Sequence, residues 1–452
     1  MVATEKHYGP VGRRWMWQVG AVLAFWAEVR LFTDLRGHYG PFYGPIWFYL
    51  ASTLLCGFAL LAHLDRPRLR TPALRSNRLL WSCAALLVGG LGVLYAQAPI
   101  IMSSPVSITQ SDVILILQAY VDRFRSGEIV YRYLTNLPYP LFPNHLPLQW
   151  LPYVPADALG IDYRWWALGI VLLIGFGAYM AFLNAQRLHW LLFGAAALLP
   201  AVVLRRMIVT DHMLFAQVVE FTIIAYYCAL VASIFSRSAL LQAVALVLCL
   251  LSRYSVIFWV PVFLWILWRE RGHVHAFTVA AFTALGIVLI YVKPFLSEDW
   301  TIFTHALSEY KIATFGEWTH TNGGDSKPIH LFTGLGFGSF FYTYVPGDIA
   351  TRIAWIQKAH ILCSLGAAGI GALTYWQLRR RIDYRVLALV SLSFYLTTFY
   401  AFIQIPYAYL ISLTVFVSAF VVVVAFCAPT SLAVAQQQDT EPDSAKRKAR
   451  IG

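Results

Sequence analysis

Asp112 follows Ser111 and opens a stretch whose residues alternate at helical spacing. Val113, Ile114, Leu117, Tyr120, Val121 and Phe124 fall on one side, and Gln118, Asp122, Arg123 and Arg125 on the other; Ser126-Gly127 closes the helix. A carboxylate here has two compatible roles. Thr109 with Asp112 three residues on resembles a capping pair, and the helix dipole favours an acid in the first turn. Asp112 is also placed to act as a general base that takes a proton from a hydroxyl group in a membrane-facing cleft. An amphipathic helix between the apolar runs 79–97 and 166–185 is expected to lie flat on a bilayer surface.

The complementary chemistry needs fixed cations. Arg253 stands in Ser252-Arg253-Tyr254-Ser255, the polar tip between two apolar legs in residues 239–268. At about 13 residues, each leg reaches about 20 Å, short of a hydrocarbon core of about 30 Å. The tip therefore sits below the surface, where irregular backbone must line a cavity or pack on protein. An arginine at that depth is a functional candidate, and its planar fork suits a phosphate. An ion pair with Glu220 is the structural alternative. Arg205, Arg206 and Lys293 stand at the same side's span ends as further anion candidates or as snorkelling residues.

On the acceptor side the candidates are Asp211 and His212 on a short loop, Tyr139 in the Pro- and aromatic-rich segment LPYPLFPNHLPLQWLPYVP from Leu137 to Pro155, His320 in a second long loop, and Tyr407 on the last turn. His305, His320, Asp325 and His330 share that second loop at spacings that fit no compact metal motif, so no metal site is expected. The aromatics Trp300, Tyr310, Phe315 and Trp318 there suit headgroup anchoring or sugar stacking. No Walker sequence, dinucleotide fingerprint or nucleophile elbow is present, and no cofactor is expected.

These residues are set in an apolar chain. Of 452 residues 59% are hydrophobic, 16% aromatic and only 12% charged, which predicts an all-α polytopic membrane protein. About twelve hydrophobic segments are expected, in a single transmembrane domain over 1–430 with a cytoplasmic polar tail at 431–452. The net charge of +12 is concentrated in short links (Arg66 to Arg78, Arg379 to Arg385) and in the tail, so it reads as topology and not as a nucleic-acid surface. Those links belong inside. Two long loops, 98–165 and 295–350, then fall outside and carry interfacial helices. The six cysteines all lie in apolar runs, so no disulfide framework is expected, and the N-terminus predicts no cleavable leader. The final tail from Gln436 is expected to be disordered.

Asp112 near the start of the first long loop, the amphipathic stretch to Arg125, the G-x-x-x-Y of Gly127 to Tyr131, the broken hairpin at Arg253 and the late turn Ile405-Pro406-Tyr407 together resemble the GT-C superfamily of integral membrane glycosyltransferases. The chain departs from that pattern in lacking a second acidic residue after Asp112 and in an extra pair of N-terminal spans. The resemblance implies transfer of a sugar from a polyprenyl-phosphate donor to a glycan or glycolipid acceptor on the outer side of a bilayer, usually with inversion. The bilayer in question would be the bacterial inner membrane, with the site facing the periplasm or exterior. A lipid-linked polysaccharide polymerase or ligase, using the second long loop, is the alternative. A secondary transporter fits less well, because neither paired halves nor short loops are found.

Overall fold

A computed structural model of the chain describes residues 13–65, 78–108, 110–135, 141–186, 188–297, 299–321 and 327–427. Thr109, Tyr139, Asp325, most of the Arg66–Arg78 link and the polar tail lie outside the described residues.

Every regular element among the described residues is helical, apart from a single β-bridge between Leu134 and Leu141. Seven helices are long and apolar enough to cross a membrane: Gly40–Leu64, Arg78–Ser103, Tyr163–Ala185, Trp190–Thr210, His273–Leu296, Ile349–Leu378 and Ala408–Phe426. Large apolar side chains such as Leu87, Leu91, Phe277, Leu362 and Leu365 stand exposed on them, which suits lipid contact. The remaining expected segments are helices too, but shorter or less apolar. Glu220–Ile234 and Ala239–Leu250 have 15 and 12 residues. Arg14–Thr33 carries Glu28, which is fully buried and accepts a hydrogen bond from Ser418 Oγ at 2.9 Å. Its charge-bearing group thus faces the bundle interior, the only place where such a residue is cheap in a membrane.

Contacts across the sequence sort the loops into two ends. At one end Arg14 Nη2 donates to Cys427 O, Trp17 Nε1 to Asp65, Arg78 to Gln186 O and Arg271 to Arg237 O. At the other, Arg36 pairs with Asp211 and Arg206 with Asp34, and Tyr133 Oη donates to Glu309. Both long loops belong to this second end. Arg14–Thr33 starts at the first end and finishes at the second, where Arg30 and Arg206 meet Asp34. The helix therefore runs the depth of the bundle.

The hairpin at 239–268 breaks as its sequence requires. Ala239–Leu250 ends in a turn, Tyr254–Val256 forms one turn of 3₁₀ helix, and Val260–Arg271 returns. Arg253 is in extended conformation between them (φ −154°, ψ 146°). The polar groups at the break are satisfied by protein: Leu251 O accepts from Leu148 N at 2.9 Å, and Ser255 Oγ accepts from Tyr400 Oη and shares a hydrogen bond with Tyr227 Oη.

Candidate active site

Asp112 occupies the N-cap position of helix Val113–Arg125, and its carboxylate makes no capping hydrogen bond. Ser111 Oγ accepts from Val113 N instead, at 3.3 Å. The segment before it is pinned by two side chains. Arg164, only 4% exposed, donates to Ser104 O at 2.6 Å and to Ala216 O at 3.1 Å. Gln217 Nε2 reaches Pro105 O and the Gln110 side chain. The apolar face of the helix, with Ile114, Leu117, Tyr120 and Val121 buried, is covered by the protein's own short helices at Pro147–Trp150 and Val154–Ala158. Tyr120 and Phe124 meet Trp150 edge-on. The Pro-rich segment is thus the packing partner of the amphipathic helix. Through Leu148 it also holds the hairpin tip that carries Arg253.

These contacts surround one large cavity, about 1180 Å³, at the loop-bearing end. Asp112 and Arg253 both line it, 141 positions apart in sequence. Of the other candidates, Asp211, His320 and Tyr407 also line it, whereas Arg205, Arg206, His212 and Lys293 do not. Arg206 Nη2 is engaged by Asp34 at 2.6 Å, and Asp211 is paired at 2.8 Å with Arg36, a cavity residue the loop composition did not single out. Lys293 is exposed on a π-helical stretch, Val288–Leu296.

Arg253 makes the ion pair with Glu220, Nη2 to Oε2 at 2.6 Å, with side-chain exposures of 12% and 3%. Tyr409 lies under the guanidinium at 5.9 Å. The pair and the cavity face are simultaneous properties of Arg253, so the two readings of this residue do not exclude each other.

Three further groups join the site without having been singled out as site residues. His145 lies between the Asp112 helix and the hairpin tip, with Tyr120 Oη 3.3 Å from its Nδ1. Burial pulls its pKa down to about 4; the Asp112 charge opposes this and the Arg253 charge adds to it. The ring is therefore neutral at pH 7. Glu317, on helix Thr301–Thr319, pairs with His330, whose ring packs 4.8 Å from that of Tyr407. Burial pushes the Glu317 carboxyl up, but hydrogen bonds from His330 and Tyr407 and the His330 charge outweigh it and hold the carboxyl below its usual range. Tyr407 is shifted far up by burial and by the nearby Tyr409, Glu317 and Asp112. Two carboxylates thus line the cavity: Asp112 from the first long loop, and Glu317 from the second.

Among the described residues no three His, Cys, Asp or Glu side chains gather as a metal site. A proton acceptor, a buried guanidinium and polar aromatics in one chamber can bind a phosphorylated, hydroxyl-rich ligand and accept a proton from it. Comparison with family models, curated proteins and solved structures finds no match.

Proposed function

We propose that the protein is a membrane glycosyltransferase of GT-C type, moving a sugar from a polyprenyl-phosphate donor to a glycan or glycolipid acceptor. The observation that carries this reading is the shared cavity of Asp112 and Arg253. The acceptor oxygen attacks the anomeric carbon, and Asp112 takes its proton. The bond to the phosphate oxygen breaks, and the charge that develops on the phosphate is met by Arg253. Asp211, His320 and Tyr407 stand on the walls where the acceptor would lie.

In this reading about twelve hydrophobic segments build the membrane domain, and the two hairpin legs enter it without crossing. The basic links face the cytoplasm, and the cavity opens to the outer face of a bacterial inner membrane. A polymerase or ligase acting on a diphosphate-linked glycan is the second reading. It is favoured by the share of the cavity wall that Tyr310, Glu317, His320 and His330 of the second loop supply.

Native mass spectrometry of gently purified protein, wild type beside Arg253→Ala, separates these. A polyprenyl phosphate or its monosaccharide bound to wild type and depleted in the variant supports the transferase. A diphosphate-linked oligosaccharide moves the assignment to the polymerase or ligase. No polyprenyl lipid in the wild type counts against both and turns attention to transport.

A further inference from the structure

Arg253 lines two spaces. One is the large cavity; the other is a recess of about 20 Å³ beside it, room for one water molecule. Glu220 lines the recess and not the large cavity. Arg253 Nη1 and Glu220 Oε1 are both buried without a hydrogen-bond partner, so the pair is joined through one contact and has polar capacity left over on each side. Buried polar atoms are rarely left in this state unless a water or ligand completes them.

The charge balance around Glu220 is narrow. The titratable and charged groups near it are Arg253 from the hairpin tip, His145 and Tyr153 from the Pro-rich segment, Tyr400 and Tyr409 from the last two helices, and Asp112 acting on His145 and Tyr409. Arg253 is the sole permanent cation among them. The Arg253–Glu220 pair is itself neutral, and Asp112 adds one negative charge to its surroundings. A phosphate that enters the cavity and binds Arg253 leaves two anions on one buried guanidinium, an arrangement that low-dielectric surroundings penalise heavily.

We propose that anionic lipid-phosphate binding at Arg253 is coupled to protonation of Glu220, so that the carboxylate serves as the resident counter-ion of the empty site and yields to the ligand by taking up a proton. The inference rests on the lipid-phosphate reading given above. The proton comes from solvent in the cavity. His145, Gln149 and Tyr409 line both spaces, next to Glu220 in the recess. Glu220 is on this account a positioning residue: it holds Arg253 in place while the cavity is empty and sets the pH at which the donor is accepted.

The test is calorimetric titration of the full-length protein in detergent with farnesyl methyl phosphate, a phosphodiester of one permanent charge, in buffers of different ionisation enthalpy. At about pH 8 the wild type is expected to take up about one proton per probe bound, and its Kd to rise about tenfold per pH unit on the alkaline side. Glu220→Gln is expected to bind with no proton uptake and a flat pH profile. Binding of the probe by wild type without uptake overturns the inference and leaves the transferase reading standing. So does uptake that persists in Glu220→Gln, or that vanishes only in Asp112→Asn. Where Glu220→Gln fails to fold, the wild-type profile alone decides, and a flat one overturns the coupling. No binding of the probe at any pH overturns the lipid-phosphate reading and this inference with it.

Discussion

Gly334 lies so close to Pro406 that a Cβ on the glycine would stand 2.0 Å from the Pro406 carbonyl oxygen. Gly336 approaches the same proline, where a Cβ would meet the ring at 2.5 Å. Phe337 N donates to Ala401 O at 2.7 Å, and Trp318 Nε1 to Gln404 O at 3.0 Å. The second long loop is therefore keyed into the last turn by backbone contact, and the residue after Pro406 is Tyr407, which lines the cavity together with Asp112. Loop packing and site geometry are one structure here.

Gly334→Ala is accordingly expected to destabilise the protein by about 1–3 kcal/mol, since backbone carbonyl and not a pliable side chain blocks the added methyl group. Gly57→Ala, at a helical glycine with open space around its Cβ position, is the control and is expected to be neutral or slightly stabilising. Thermal unfolding of both variants in the same detergent checks the contrast. Equal melting temperatures would mean that the loop and turn are not locked together.

Asp112→Asn separates the two roles of its carboxylate. Loss of a general base costs typically about 10²–10⁴-fold in turnover, whereas loss of an N-cap costs about 1 kcal/mol of stability. Because the side chain makes no capping bond, turnover is expected to collapse while the melting temperature stays near that of wild type. The measurement is sugar transfer from a polyprenyl-phosphate donor beside thermal unfolding. Full transfer by a folded variant rules Asp112 out as the base.

The sequence made the bundle legible because apolar length is a direct physical signal: each of the seven long helices coincides with a predicted span. It was less informative where polarity is satisfied internally. Arg14–Thr33 carries Glu28 and Arg30, and nothing local reveals that Ser418, 390 positions away, donates a hydrogen bond to the carboxyl group. Asp112 and Arg253 were found because an acid before an amphipathic helix and an arginine in a broken hairpin are locally conspicuous. Glu317 was missed because it is one acid among the polar residues of a long loop. Its partners His330 and Tyr407 are brought to it only by the folding of that loop against the last turn. Arg205, Arg206 and Lys293 show the converse. Their position at span ends is readable, but which way each side chain turns is not, and Asp34 claims Arg206.

His145 gives the protein an acid-side weakness. Its folded pKa of about 4 lies below the ordinary histidine value of about 6.5. Between those values the unfolded chain binds a proton that the folded protein refuses. The associated stability is thus complete above about pH 6.5, declines as pH falls towards 4 and levels off below it, a loss of roughly 3 kcal/mol. His145→Gln is expected to flatten this part of the profile. Unfolding followed from pH 7.5 to pH 4.5 in wild type and variant is the check; parallel profiles would assign the acid loss to other groups.

Glu317 and Arg253 are expected to fail differently when removed. In the proposed transfer Arg253 meets the donor phosphate, while Glu317, with His330 and Tyr407, lines the wall supplied by the second loop. Its carboxyl is held ionised by those partners, so at neutral pH it is a charged hydrogen-bond acceptor facing the cavity. A charged hydrogen bond to an acceptor hydroxyl contributes about 1.5–3 kcal/mol, so Glu317→Gln should lower transfer by roughly 10- to 100-fold. It should retain the co-purifying donor lipid in native mass spectra, whereas Arg253→Ala should lose it. Depletion of that lipid in Glu317→Gln would place this carboxylate on the donor side, and with it the second loop.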